Sequence, residues 1–228
     1  MSDSVDTAFQ RARRPEQREH RRQAILDAAT ALLAEMPAAE ISLRELGRRV
    51  GLSKSNVIRY FETREAVFLE LLDRFTQEWL DALDQELSAP PVRGTPPSAT
   101  DQVATTWARS LAQRPFLCEL WSILSAVLER NVSVDAIRAF KLKEVQHRTR
   151  LARMINARIP ELDSENAMRL ATTSIIFTMG LWPIANPSPA VTEATRDPRL
   201  ADSCIDFTQT LRSALNTTIT GLLHRPGS

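Results

Sequence analysis

The chain has 228 residues, 43% of them apolar and 25% charged, which suffices to bury one large core or two modest ones. Its 29 Lys or Arg nearly balance 28 Asp or Glu, giving a formal charge of +1 that argues against a sequence-neutral DNA-coating protein. Two cysteines, 118 and 204, set far apart in apolar helical patterns, exclude a disulfide scaffold and read as reduced core thiols.

Nearly every segment reads helical and no sustained period-2 alternation occurs, so the expected fold class is all-α. Residues 1–15 lack the apolar run of a secretory signal and read as a flexible, arginine-rich arm. Residues 1–64 hold 12 basic against 9 acidic side chains, so the basic end faces any anionic partner. A first helix is predicted over about 16–35, with Ile25, Ala28, Ala29, Leu32 and Leu33 on one face, stopped by Pro37. Ser42 and Glu45 form a capping box that opens a second helix to about residue 50. Gly51 can adopt the left-handed conformation that closes it, and Ser53 caps a third helix over 54–61. Thr63 caps a fourth, through residue 87, with a stripe of Val67, Leu71, Leu72, Phe75, Trp79, Leu80 and Leu83. At 1.5 Å per residue it is roughly 36 Å long, enough to belong to two units at once.

The proline-rich stretch 88–100 is the clearest boundary. Beyond it helices are predicted near 101–113, 116–129, 133–158, 164–185 and 199–223, with a second loop over 186–198. The domain plan is therefore an arm (1–15), a helix-turn-helix domain (16–63) and a larger helical regulatory domain (64–228). Residues 170–192 carry no charge, but Thr172, Thr173, Ser174, Gly180, Pro183 and Asn186 leave the apolar part short of the roughly 20 residues a membrane span requires. An interface helix is expected there.

The stretch LRELGRRVGLSKSNVIRYF, residues 43–61, carries the chemistry. Two helices joined by a turn this short cross steeply and need a small apolar contact, which Leu46, Gly47, Val50, Leu52 and Val57 supply. The third helix then presents Lys54, Ser55, Asn56 and Arg59. Arg can bond guanine bidentately and Asn can bond adenine in the major groove. Tyr60 and the amides at the Ser53 start suit phosphate oxygens. A merely solvated face fits poorly, because so short a helix with β-branched Val57 and Ile58 has little intrinsic stability.

Residues 21–72 resemble the DNA-binding region of the TetR family of bacterial transcriptional regulators. The carrying residues are ILDAA in the first helix, SLRELG in the second, LSKSNVIRYF after the turn, and REAVFLELL in the fourth. The resemblance implies a homodimer that binds a near-palindromic double-stranded DNA operator, most often as a repressor, under control of a small-molecule effector. It adds Arg44 as a groove contact and Ser42, Tyr60 and Arg64 as phosphate contacts. The chain departs from the family where Gly-Thr-Leu-Tyr is usual and Ser55-Asn56-Val57-Ile58 stands, so operator sequence does not transfer. The glycine usual after the first helix is replaced by MPAAE, residues 36–40. Arg11, Arg13, Arg14, Arg18, Arg21 and Arg22 are available to reach a minor groove or phosphates, or to act as a solubilising tail.

In the last two helices, stripes at threes and fours include Ile175, Met179 and Trp182, and Cys204, Phe207, Leu211 and Leu215; the resemblance assigns both helices to the dimer interface. The large apolar residues Trp107, Phe116, Trp121, Phe140, Met154 and Phe177 are candidates for an effector site suited to an apolar or aromatic ligand. No His, Cys and carboxylate cluster has metal-ligand spacing, and no nucleophile elbow, P-loop or dinucleotide motif occurs, so neither a cofactor nor an enzyme is expected. The leading expectation is a cytoplasmic regulator. The alternative is a helical small-molecule sensor with a vestigial DNA-binding domain.

Overall fold

The architecture of the chain comes from a computed structural model that describes residues 3–88 and 98–224, with side chains from residue 16 onward except at position 201. Its α-helices are α1 (Asp3–Leu33), α2 (Leu43–Arg49), α3 (Lys54–Ile58), α4 (Arg64–Ser88), α5 (Ala99–Ala112), α6 (Pro115–Ile123), α7 (Val134–Arg158), α8 (Ser164–Ala185), α9 (Pro189–Ala194) and α10 (Phe207–Leu223). Among the described residues there is no strand. None of the described helices is long and apolar enough to cross a membrane. Most of the proline-rich boundary loop, and the side chains of Arg11, Arg13 and Arg14, lie outside the described residues.

The chain divides into two compact units, Met1–Leu71 with Ser125–Ile137, and Leu72–Leu124 with Arg138–Ser228. In the first unit, Ile25, Ala29 and Leu32 of α1, Leu46 of α2, Val57 of α3 and Val67 and Leu71 of α4 are all fully buried. These are the stripe positions of the sequence, and burying each stabilises by about 1.5–3 kcal/mol for the larger side chains. In the second unit, α10 packs on α5 and α8, and α6 packs on α8 and α5. Trp79, Trp107 and Trp121 form its aromatic centre, with ring centroids 5.8 Å (Trp79–Trp107) and 5.5 Å (Trp79–Trp121) apart. The indole N–H of Trp79 donates to Ser110 Oγ at 2.9 Å, so the buried donor is satisfied.

Several boundaries differ from expectation. α1 starts at Asp3, so helical backbone runs through the segment read as a flexible arm, Pro15 included. The third helix ends at Ile58 rather than 61. Its last turn tightens, with Tyr60 N donating to Val57 O at 2.9 Å, and this swings Phe61 into the core. The stretch expected as one helix over 116–129 becomes α6 followed by a π-helical turn at Leu124–Leu128. The loop over 186–198 contains α9, which Ser188 caps with Pro189 in its first turn. Finally, the helix expected from 199 starts at Phe207, because Asp206 Oδ1 accepts from Gln209 N at 2.6 Å and fixes the start there. Leu200 and Cys204 consequently fall outside the stripe and are exposed, so Cys204 is no core thiol. Cys118 is one: burial pushes its thiol up to about 12, and no bridge joins the two.

Candidate nucleic-acid interface

The turn between α2 and α3 is fixed by two glycines with different tasks. Gly51 has φ +69°, the left-handed conformation that a side chain disfavours. Gly47 gives room: a Cβ there would stand 2.5 Å from the Leu52 carbonyl oxygen and 3.3 Å from Val57 Cγ2. The Leu52 N–H donates to Gly47 O at 2.8 Å, closing the turn. Ser42 Oγ accepts from Glu45 N and Ser53 Oγ from Asn56 N, both at 3.2 Å, so each short helix has a capped start. Val57 is wholly buried and anchors α3, leaving its opposite side in solvent.

On that side Ser53, Lys54, Ser55, Asn56 and Arg59 are exposed, and Ile58 with them at 45%. Ser42 and Arg44 are exposed at the start of α2. Tyr60 is half-buried and Arg64 is drawn inward. The Arg64 guanidinium donates to the carbonyls of Ala39 (2.5 Å) and Ile41 (3.2 Å) and pairs with Glu65 at 2.8 Å. It ties the connection before α2 to the start of α4, which makes it a structural clamp; of the nine residues expected at DNA, it is the one the fold engages most fully.

Ion pairing separates the basic residues of α1 to α3 and the turn after it into two groups. Arg48 pairs with Glu45 and Arg49 with Glu35, each at 2.5 Å, and these hydrogen bonds hold both carboxyls below their usual range. Arg22 is fastened by Glu70, by the Tyr60 carbonyl at 2.8 Å and by the Phe61 ring 4.2 Å beneath its guanidinium. By contrast Arg18, Arg21, Arg44, Lys54 and Arg59 have no ion-pair partner among the described residues. The carboxylates that quench the first group lie on other elements in most cases, so sequence inspection missed Arg22 and Glu70 as a clamp. It also missed Glu62, which accepts from the Ser133 N–H at 2.9 Å and so holds the segment before α7 against the end of the α3 turn.

In the second unit, Trp107, Trp121, Phe140 and Met154 are buried and Phe116 is half-buried. Trp107 and Trp121 meet through Trp79; Phe177 leaves the group, lying 36% exposed on the outer side of α8. The expected interface residues also separate. Phe207, Leu211 and Leu215 point into their own unit, with Phe207 against Trp182 at 5.0 Å. Ile175, Met179 and Trp182 are half-buried, and Cys204 is exposed. Buried Ala167, Leu170, Ala171, Ser174 and Thr178 form the inner face of α8, so its outer face carries Ile176 (59% exposed), Phe177 and Ile184 (56%).

Comparison with known proteins agrees with this arrangement. Residues 25–71 match the family model described as bacterial regulatory proteins, tetR family, and residues 73–226 match the tetracyclin repressor-like C-terminal domain. Over 55 residues the chain is 42% identical to the HTH-type transcriptional regulator EthR of Mycobacterium tuberculosis. That alignment covers 24% of this chain and spans only about a quarter (26%) of the relative's length. The fold resembles the fatty acid degradation regulator FadR from Bacillus halodurans, with a TM-score of 0.55 at 14% identity, covering 90% of this chain and 97% of that one. It also resembles a TetR transcriptional regulator from Rhodococcus sp. RHA1, with a TM-score of 0.52 at 16% identity, covering 90% and 98%.

Proposed function

The chain belongs to the tetR family of bacterial regulatory proteins, and from that premise we propose that it is a homodimeric, sequence-reading repressor of transcription whose operator binding responds to a small apolar or aromatic effector. The observation that carries the reading is the outer side of α3: a helix too short to persist alone is capped, anchored by Val57, and left with Lys54, Ser55 and Asn56 exposed, as Arg44 is at the start of α2. Donors of this kind on an exposed helix suit base edges in the major groove, while the amides at the Ser53 start and Tyr60 suit phosphates.

Dimerisation supplies the second half of the reading. Beyond Arg169 the outer face of α8 carries no charge, and with Ile176, Phe177 and Ile184 in solvent it supports a two-fold partner, so that two recognition helices address two half-sites of a near-palindrome. The aromatic centre of the second unit supports an apolar or aromatic effector, and such an effector acts only by binding two conformations unequally. The protein works in the cytoplasm, with the DNA.

Selection of binding sites from random duplex DNA by the purified protein, at two salt concentrations, tests the proposal. A near-palindromic motif is expected. Binding without an enriched motif, lost steeply with salt, leaves only electrostatic contact and favours a sensor with a vestigial DNA-binding domain.

A further inference from the structure

A groove of about 290 Å³ opens on the surface of the first unit, lined by Gln17, Arg18 and Arg21 of α1 and by Arg59 and Tyr60 after α3. Three guanidinium groups and a phenol share it, and among the described residues no carboxylate lines it. Neither Arg18, Arg21 nor Arg59 has an ion-pair partner among the described residues, in a unit where Arg22, Arg48, Arg49 and Arg64 are all paired with carboxylates. Like charges held this close repel, and the repulsion is relieved when an anion sits between them. An adjoining hollow, lined by Glu16, Gln17, His20, Arg21 and Ala24, does contain a carboxylate and lacks this character.

The groove is also held in shape. Arg22, one position beyond Arg21, turns inward and donates to the Tyr60 carbonyl, so the same stretch of α1 that supplies two free arginines fixes the backbone bearing the phenol. A tetrahedral anion with several acceptor oxygens suits planar guanidinium forks and a hydroxyl donor. The groove follows the C-terminal end of α3, whereas Lys54, Ser55 and Asn56 lie at its start.

Resting on the reading that the protein binds an operator, we propose that this groove seats a DNA phosphodiester, with Arg18, Arg21, Arg59 and Tyr60 as its donors. Arg59 is thereby a backbone contact, and base discrimination falls to Arg44, Lys54, Ser55 and Asn56.

Binding of the full chain to its selected operator and to random duplex, followed by fluorescence anisotropy across a salt series, tests this. The double variant Arg18→Ala/Arg21→Ala should weaken both DNAs by a similar factor and lower the slope of log affinity against log salt by about 1–2. Arg59→Ala should behave the same way, leaving the ratio of operator to random affinity within about 3-fold of the starting protein. Arg18→Lys/Arg21→Lys should keep the slope, and thermal unfolding should be unchanged in all, since these side chains are exposed. An unaltered slope in the double alanine variant, or collapse of the operator-to-random ratio in Arg59→Ala, overturns the assignment. If the unsubstituted protein selects no motif at all, it is the operator reading that fails, and the salt slopes on random duplex still decide the groove.

Discussion

Gly47 and Gly51 stand four residues apart and illustrate two separate reasons for glycine. Gly51 needs its conformational freedom, while nothing lies within 4 Å of where its Cβ would be. Gly47 needs only its lack of volume, because backbone of the turn occupies the space. We expect Gly47→Ala to push the Leu52 carbonyl away, destabilise the protein by about 1–3 kcal/mol and weaken operator binding with it. Gly51→Asn should cost less, about 1 kcal/mol or below, because Asn tolerates the left-handed region. Thermal unfolding of the two variants compares them directly; equal losses would mean that the crossing of α2 and α3 has slack to absorb a methyl group. The sequence motif marks both positions without telling which constraint acts at each.

Between elements of the second unit, Asp73 of α4 joins α4 to α7. Its Oδ1 lies 2.8 Å from His147 Nε2 and its Oδ2 accepts from Lys143 Nζ at 2.5 Å. Burial raises the Asp73 carboxyl, but the hydrogen bonds and charges of His147 and Lys143 outweigh it, and the net shift is downward. A carboxyl lowered in the folded state adds stability above its unfolded value, near 3.9, and that contribution is lost as the pH falls through the lower folded value. Asp73→Ala should therefore cost about 1–2 kcal/mol near neutral pH. Its deficit relative to the unsubstituted protein should shrink once the pH drops below the ordinary carboxylate range. Urea unfolding at the two pH values measures this, and a deficit independent of pH would assign the loss to side-chain volume instead of charge. The α4 stripe was legible in the sequence, since Trp79, Leu80 and Leu83 fall on it and are buried. The polar link was not, because Asp73 and His147 are 74 positions apart.

For the molecule as a whole, the outward side of α8 is what bears on the proposed dimer. The resemblance assigned the stripe with Ile175, Met179 and Trp182 to the dimer face, and all three are half-buried in the single chain. Small and hydroxyl residues turn inward instead: Ser174 and Thr178 satisfy their hydroxyls on the carbonyls of Leu170 (2.6 Å) and Ser174 (2.9 Å), so they bury without penalty. Ile176 and Ile184 are left outside. Ile176→Arg with Ile184→Arg should give a folded monomer in sedimentation experiments, with operator affinity falling by about 100-fold or more as the second half-site is lost. A dimer that survives both charges would place the two-fold contact on another surface.

Local rules carried much of this protein. The all-helical class, the capped starts of α2 and α3, the glycine turn and the apolar stripes of α1 and α4 all depend on residues within about a turn of one another, so the sequence by itself determined them. Tertiary structure decided which arginines remain available to an anion: Arg22 is silenced by Glu70, 48 positions away, and Arg49 by Glu35, 14 away, while Arg18, Arg21 and Arg59 converge on one groove. It also decided which side of α8 is outward. Both outcomes hinge on how each helix is rotated about its own axis against its neighbours, and a stripe of residues records the period of a helix without recording that rotation.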